Sequence, residues 1–222
     1  VTDDSRRAKS YFDDLAPEYD RAFRLSGRSP LNALVNRFFR GKTFARRMRL
    51  LEELFRDISL PGKRVLDLGC GSGQVSLLAA SMGASVHAID IAPRMLALAR
   101  ASAERAGLAD RITFQEGDVG EVALSEADVT LLVGVAEYYA DPGPLLRRAA
   151  AATRDHLVVA HTSRVVYRML LRRLLFLGTG APLYFHPMFA LVEAGESAGL
   201  HLSRRIDEHA FSILAFARTQ PG

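Results

Sequence analysis

The sequence predicts an α/β protein: a doubly wound sheet, mostly parallel with one antiparallel edge strand, helices on both faces and a helical cap at the N-terminus. Three observations predict it. From residue 63 onward, short apolar runs alternate with amphipathic helical segments. A glycine-rich turn, "GCGSG", follows the first of those runs. Two strand-like runs near the C-terminus are separated by only a few polar residues. Alternating βα units of this length make a parallel sheet covered on both faces. Two closely joined strands pair as an antiparallel hairpin.

Before residue 63, "SRRAKSYFDDLAPEYDRAF" and "LNALVNRFFRGKTFARRMRLLEELFRDI" read as helices, with Gly27 and Pro30 punctuating the gap between them. They belong to no βα unit, so residues 1–62 are expected to cap the open end of the sheet. "RVLDLG" (64–69) is the first strand, ending at glycine. "GQVSLLAASMG" (73–83) has helical spacing and closes at Gly83. "SVHAID" (85–90) is the second strand, and "APRMLALARASAERAG" (92–107) a helix with Pro93 in its first turn and Gly107 as its stop. "RITFQEGD" (111–118) and "ADVTLLVGV" (127–135) are the third and fourth strands. "DPGPLLRRAAAAT" (141–153) is a helix opened by prolines, and "DHLVVAH" (155–161) is the fifth strand. The pattern then changes. "SRVVYRMLLRRLLFLG" (163–178) is a basic amphipathic helix, followed by the aromatic loop "TGAPLYFHP". A further helix, "PMFALVEAGESAG", leads into the strands "LHLSRRID" and "AFSILAFAR". Residues 63–222 are thus expected to form one domain with a helical insert around 163–187.

A chain of 222 residues is long enough for one large domain with a substantial core. Its 49% hydrophobic and 24% charged residues exclude disorder as the general state. A single cysteine excludes an internal disulfide and suits a reducing compartment. The polar start "VTDDSRRAKS" is not a secretory signal, and no run approaches the ~20 apolar residues of a membrane span, so a cytoplasmic location is expected. With 29 Lys and Arg against 25 Asp and Glu the net charge is +4. That balance admits nucleic acid, an acidic membrane face or an acidic small molecule as partner.

The glycine turn departs from the dinucleotide fingerprint G-x-G-x-x-G, because Gln74 stands where the third glycine belongs and Gly73 has moved up. Alone, such a turn is also compatible with an ordinary tight bend. Its surroundings are more informative. Asp67, Asp90 and Asp118 close three successive strands on the carboxyl edge, where open α/β sheets bind ligands. Asp90 is placed to accept hydrogen bonds from a ribose diol, and Asp118 from an adenine amino group. Asp67 stands beside the glycines, where it repels a pyrophosphate and favours positive charge; a local role, bonding the loop backbone, is the alternative. S-adenosylmethionine, a nucleoside carrying an ammonium and a sulfonium instead of phosphates, satisfies all three acids.

At these residues the chain resembles the class I S-adenosylmethionine-dependent methyltransferases, from about residue 63 to the C-terminus. "VLDLGCGSG" is similar to that family's first motif, "AIDIAPRML" to its second, "EGDV" to its third and "LLVGVAEYYADPGPLL" to its fourth. The resemblance implies a seven-stranded, Rossmann-like sheet whose last strand is antiparallel. "YFDDLAPEYD" (11–20) resembles the opening helix of quinone-type and related small-molecule methyltransferases, which implies that Tyr19 helps to cover the cofactor. It further implies that Gly69, Gly71 and Gly73 line the methionine end of the cofactor, with Asp67 near its ammonium. Cys70, inside the turn, is a small cofactor-adjacent residue that packs and is not a nucleophile. Asp90 holds the ribose, Ile91 and Met95 lie against the adenosine, and Asp118 and Val119 bracket the adenine. Gly134 and Val135 form the floor beneath the transferred methyl.

Methyl transfer from a sulfonium asks chiefly for alignment, and for a base only when the acceptor is still protonated. The candidates for chemistry are Glu137 and Tyr138 after the fourth strand and His161 after the fifth, His161 being of the right type for a base near neutral pH or else a strand-end residue bonding backbone. Tyr139 is as readily a packing residue, and His186, before Pro187, is read as capping the following helix. No metal site is expected. Nucleic-acid amino methyltransferases carry an N/D-P-P-Y/F motif after the fourth strand; "GVAEYY" stands there instead, so no nucleic-acid partner is expected. Two basic segments, "RFFRGKTFARRMR" (37–49) and the insert helix with Arg164, Arg168, Arg172 and Arg173, bury apolar stripes on the sheet with arginines in solvent, or else meet a hydrophobic, anionic substrate or an acidic membrane face. The leading expectation is a methyltransferase acting on a small, hydrophobic, anionic molecule, as in bacterial secondary metabolism. The second follows a faint likeness in layout to magnesium-protoporphyrin O-methyltransferases, which esterify a propionate. A non-catalytic binding module is the alternative of another class; the intact turn and all three acids argue against it.

Overall fold

The computed structural model describes residues 3–24, 41–162 and 182–218, with side chains from 3–16, 43–162 and 182–218. Two helices open it, α1 (Asp3–Arg24) and α2 (Gly41–Asp57). Then come β1 (Arg64–Leu68), α3 (Gln74–Ser81), β2 (Ser85–Asp90), α4 (Pro93–Arg105), β3 (Ile112–Glu116), β4 (Ala127–Val133), α5 (Gly143–Ala151) and β5 (Thr153–Thr162). The chain ends on α6 (Met188–Ser197), β6 (Leu200–Asp207) and β7 (Phe211–Arg218). The expected insert helix 163–178 and the start of the second N-terminal helix, 31–40, lie outside the described residues.

The seven strands form one sheet in the order β3-β2-β1-β4-β5-β7-β6. Strands β1 to β5 pair in parallel, and β7 runs antiparallel to both of its neighbours. The single reversed strand and the hairpin are as expected, with one correction: β7 is not at the edge. It lies between β5 and β6, and β6 is outermost. Side-chain chemistry explains the order. Six successive residues of β7, Phe211 to Phe216, are buried, which requires cover on both faces and a strand on each side. Strand β6 carries Ser203, Arg204, Arg205 and Asp207, charges and hydroxyls that suit an edge.

Alternation along each strand divides the core into two layers. One face packs Leu50, Leu51, Leu54 and Phe55 of α2, Val75 and Ala79 of α3 and Leu96 of α4 against Val65, Leu131, Val158 and Ile213. The other packs Leu145, Leu146 and Leu191 from α5 and α6 against Leu66, Leu132, Val159 and Phe216. Helix α2 therefore covers a face of the sheet, which corrects the expectation that all of 1–62 caps its open end: the apolar stripe of α2 is long enough to fill the layer beside α3. Helix α1 crosses the carboxyl edge: Ala16 packs on Ala92 and Met95, with Phe12 and Leu15 beside them.

Candidate functional site

The turn after β1 is built by close contact. A Cβ placed on Gly69 would stand 2.4 Å from Val135 Cγ2, and one on Gly73 would stand 2.8 Å from Ala99 Cβ; both glycines have positive φ. No side chain fits at either position. The first contact presses the turn against the end of β4, and the second lets α3 approach α4.

Two of the three acids hold this turn. Asp90 accepts hydrogen bonds from the backbone N–H of Gly71 (2.7 Å) and of Ala92 (2.9 Å), one on each oxygen. Burial pushes the Asp90 carboxyl up, and those two donors pull it back down. Asp67 is 1% exposed and points to the α2–α4 face, where Ser76 Oγ donates to its Oδ2 at 2.5 Å. Burial raises its carboxyl to about 6 against the Ser76 hydrogen bond, and the neighbouring Asp90 charge raises it further. Its partner is thus the first helix after the turn, a residue that the sequence reading missed. The signal was present: Ser76 is a hydroxyl among the apolar positions of α3 and is completely buried.

Asp118 follows β3. Its Oδ1 accepts from the Gly120 N–H (2.9 Å) and the Tyr139 hydroxyl (3.0 Å). Burial, with the Asp118 charge beside it, pushes the Tyr139 phenol well up, so it stays a neutral donor. Val119 is buried beneath, Ile91 is partly exposed, and Met95 is buried under Ala16 of α1. Tyr19 is on α1, and its side chain lies outside the described residues. Cys70 packs in the core, its thiol pushed up by burial, which suits packing and not nucleophilic chemistry.

The ends of β4 and β5 meet beside the turn. Glu137, 5% exposed, accepts a hydrogen bond from Thr162 Oγ1 at 2.9 Å. His161, 6% exposed, shares its face of β5 with Val159, and its Nε2 is buried without a hydrogen-bond partner among the described residues. Burial lowers its pKa, opposed by the negative charge of Glu137. His161 is therefore neutral at pH 7, with a nitrogen able to accept a proton. The Tyr138 ring meets Phe12 of α1 edge-on, centroids 5.1 Å apart.

His186 corrects an expectation. It does not cap α6, whose N-cap is Pro187. Its Nε2 lies 3.1 Å from the Ala136 carbonyl and 2.9 Å from that of Tyr139, so a protonated Nε2 ties the segment before α6 to the turn after β4. Tyr184 reinforces that tie: its N–H donates to the Glu137 carbonyl at 2.7 Å and its hydroxyl to Asp4 at 2.9 Å. Asp13 of α1 accepts from the Arg94 N–H at the start of α4, and Lys9 pairs with Glu116 at the end of β3.

S-adenosylmethionine is the cofactor that the sequence implies, and the donor set fits it. The described glycine turn holds no basic side chain and sits above two buried carboxylates, which fits a cationic methionine end and opposes a pyrophosphate. Each remaining acid keeps lone pairs for a hydroxyl or an amino group.

This sheet order is that of the Rossmann-like, class I S-adenosylmethionine-dependent methyltransferase fold. Residues 65–157 match the family model described as "Methyltransferase domain". Among curated proteins, the chain is 36% identical over 111 residues to a ubiquinone biosynthesis O-methyltransferase of Azorhizobium caulinodans, covering 48% of this chain and 43% of that protein. It is 32% identical over 114 residues to a ribosomal protein L11 methyltransferase of Desulfitobacterium hafniense, covering 50% and 36%. The match thus spans 43% or less of the length of these two relatives. Among solved structures, a magnesium protoporphyrin IX methyltransferase from Synechocystis with bound S-adenosylhomocysteine superposes with a TM-score of 0.76 at 21% identity, over 96% of this chain and 98% of that one. That likeness is one of fold.

Proposed function

We propose that this chain transfers a methyl group from S-adenosylmethionine to a small, hydrophobic, anionic organic molecule. One observation carries the reading: Gly69 approaches Val135 so closely that no Cβ fits between them, which sets the glycine turn beside the ends of β4 and β5, where Glu137 and His161 lie. The cofactor, when bound, supplies an activated methyl. The residues for holding it are Gly69, Gly71 and Gly73 at the methionine end, Asp90 at the ribose, and Asp118 with Val119 at the adenine. Alignment is the main contribution the protein makes, worth ~7–11 kcal/mol in well-oriented cases. His161 is neutral and takes the proton of a hydroxyl acceptor, while Glu137 stabilises the imidazolium that results. Helix α1, docked over Ala92 and Met95 and against Tyr138, excludes water. The division into a cap (1–62) and a methyltransferase domain (63–222) belongs to the same proposal.

A second reading, O-methylation of a tetrapyrrole carboxylate, is favoured by the fold likeness over 96% of the chain to the magnesium protoporphyrin IX methyltransferase. A carboxylate arrives ionised and needs no base. The test is incubation of the protein with tritium-labelled S-adenosylmethionine and fractionated cell extract, repeated with His161→Ala. Label in an organic-soluble small molecule, with turnover lowered about 10²-fold in His161→Ala, supports the first reading with His161 as base. Label in a porphyrin with turnover intact in His161→Ala establishes the second. Label in protein or nucleic acid overturns both.

A further inference from the structure

We infer that Arg47 is the substrate-recognition residue of this site and that the group it receives is a carboxylate on a hydrophobic molecule. The inference rests on the proposed function and names its substrate class. The basic run 43–49 offers several arginines, and the fold separates them. Arg46 pairs outward with Glu208 on the β6–β7 turn, and Arg49 is exposed. Arg47 lies on the inward stripe of α2, one turn before the buried Leu50 and Leu51 and two before Leu54. The stripe is otherwise apolar, and Arg47 ends it with a half-buried stem that carries its guanidinium toward the carboxyl edge.

That end meets the methyl-transfer floor. Arg47 Nη1 stands 3.8 Å from where a Cβ on Gly134 would be, and its Cζ lies 5.7 Å from the centroid of the Phe44 ring. Gly134 follows β4 directly and precedes Val135, the residue pressed against Gly69. A planar cation therefore sits beside the reacting end of the site with an aromatic ring against it. The carboxylates Asp67, Asp90, Asp118 and Glu137 lie at the neighbouring strand ends, and Lys9 at the end of β3 is taken up by Glu116. A guanidinium meets a planar, singly charged carboxylate in bidentate fashion, and the neighbouring carboxylates repel a single charge less than the double charge of a phosphate. The Phe44 ring and the Phe12–Tyr138 pair supply apolar surface for the rest of the molecule. Arg47 and His161 belong to opposite faces of the sheet, so the carboxylate can be a handle for a hydroxyl acceptor or the acceptor itself.

The test uses matched acids and esters on protein loaded with S-adenosylhomocysteine: protoporphyrin IX against its dimethyl ester, and 1-pyrenebutyrate against its methyl ester, followed by fluorescence. At least one acid should bind about tenfold more tightly than its ester, the effect of one charge-assisted contact. Arg47→Met should bring acid and ester to within about twofold of each other, and Arg47→Lys should retain part of the preference. S-adenosylhomocysteine affinity, measured separately by calorimetry, should stay within about twofold in both variants, showing that the fold and cofactor site are intact. The inference is wrong if neither acid saturates the wild type, if acid and ester bind alike, or if the preference survives Arg47→Met. Failure of the wild type to bind S-adenosylhomocysteine at all would instead overturn the underlying methyltransferase reading, and this inference with it.

Discussion

Around the glycine turn, each strand-ending carboxylate has a holder within ten residues, Ser76 for Asp67, Ala92 for Asp90 and Gly120 for Asp118, with Gly71 and Tyr139 joining Asp90 and Asp118 from neighbouring turns. At the ends of β4 and β5 the partners are distant. Thr162 reaches Glu137, His186 reaches the carbonyls of Ala136 and Tyr139, and Tyr184 reaches Asp4 near the other end of the chain. Most of the first region organises itself once β1, β2, β3 and their turns form. The second exists only after the sheet, α1 and the segment before α6 have assembled. The acceptor side is therefore the part free to vary with the substrate, while the cofactor side is built from short-range rules.

Gly69 joins the two regions, so its substitution has the largest expected effect. Gly69→Ala adds a Cβ at positive φ and drives it into Val135. The conformational cost of ~1–2 kcal/mol and an overpacking cost of ~1–3 kcal/mol should together lower stability by ~2–5 kcal/mol in urea denaturation. Gly69→Ala combined with Val135→Ala should recover the overpacking part. A double variant no more stable than Gly69→Ala alone would show that the two regions do not meet at this contact.

Asp90→Ala is next. It removes the acceptor for two backbone donors and, on the proposed reading, for the ribose, and should weaken S-adenosylhomocysteine binding by roughly 1.5–3 kcal/mol. Calorimetry decides this, and unchanged affinity in the folded variant would separate turn order from cofactor binding.

Asp67 sharpens the comparison through pH. Its carboxyl titrates near 6 in the fold against an ordinary 3.8, so the folded state holds the proton more tightly than the unfolded one. The stabilisation is complete below pH ~4 and is lost as pH rises through ~6. At pH 8 the buried anion costs up to ~3 kcal/mol. Asp67→Asn keeps an acceptor for Ser76 without the charge. It should raise the stability of the cofactor-free protein by ~1–3 kcal/mol at pH 8 and change it little at pH 4. The same variant should bind S-adenosylmethionine more weakly. An equal stability change at both pH values would refute the account.

The smallest effect belongs to the docking of α1. Glu116→Gln breaks the exposed pair with Lys9 and should cost below ~1 kcal/mol, a loss that shrinks in about 0.5 M salt. A larger, salt-independent loss would mean that α1 is held by this contact more than by Ala16 and Phe12.

Much of this protein was determined by its sequence alone, because the rules involved are local. The apolar runs and their spacing specified β1 to β5 and the helices between them. Gly69, Gly73 and the acids at strand ends marked the cofactor edge, since a turn without room for side chains admits only glycine and a strand end brings its last residue to the rim. What needed the tertiary structure were relations between distant residues. That β7 lies inside β6 depended on which strand could be buried on both sides. That Asp67 answers to Ser76, that His186 grips the turn after β4, and that Arg47, among the described residues of its run, stands beside Gly134 depended on the angle at which helices meet the sheet. Hydrophobic periodicity says which face of a helix turns inward, but a helix can be apolar on one face at many positions along a sheet. Only the packing of both layers at once chooses the position, and with it the side chains that meet at the site.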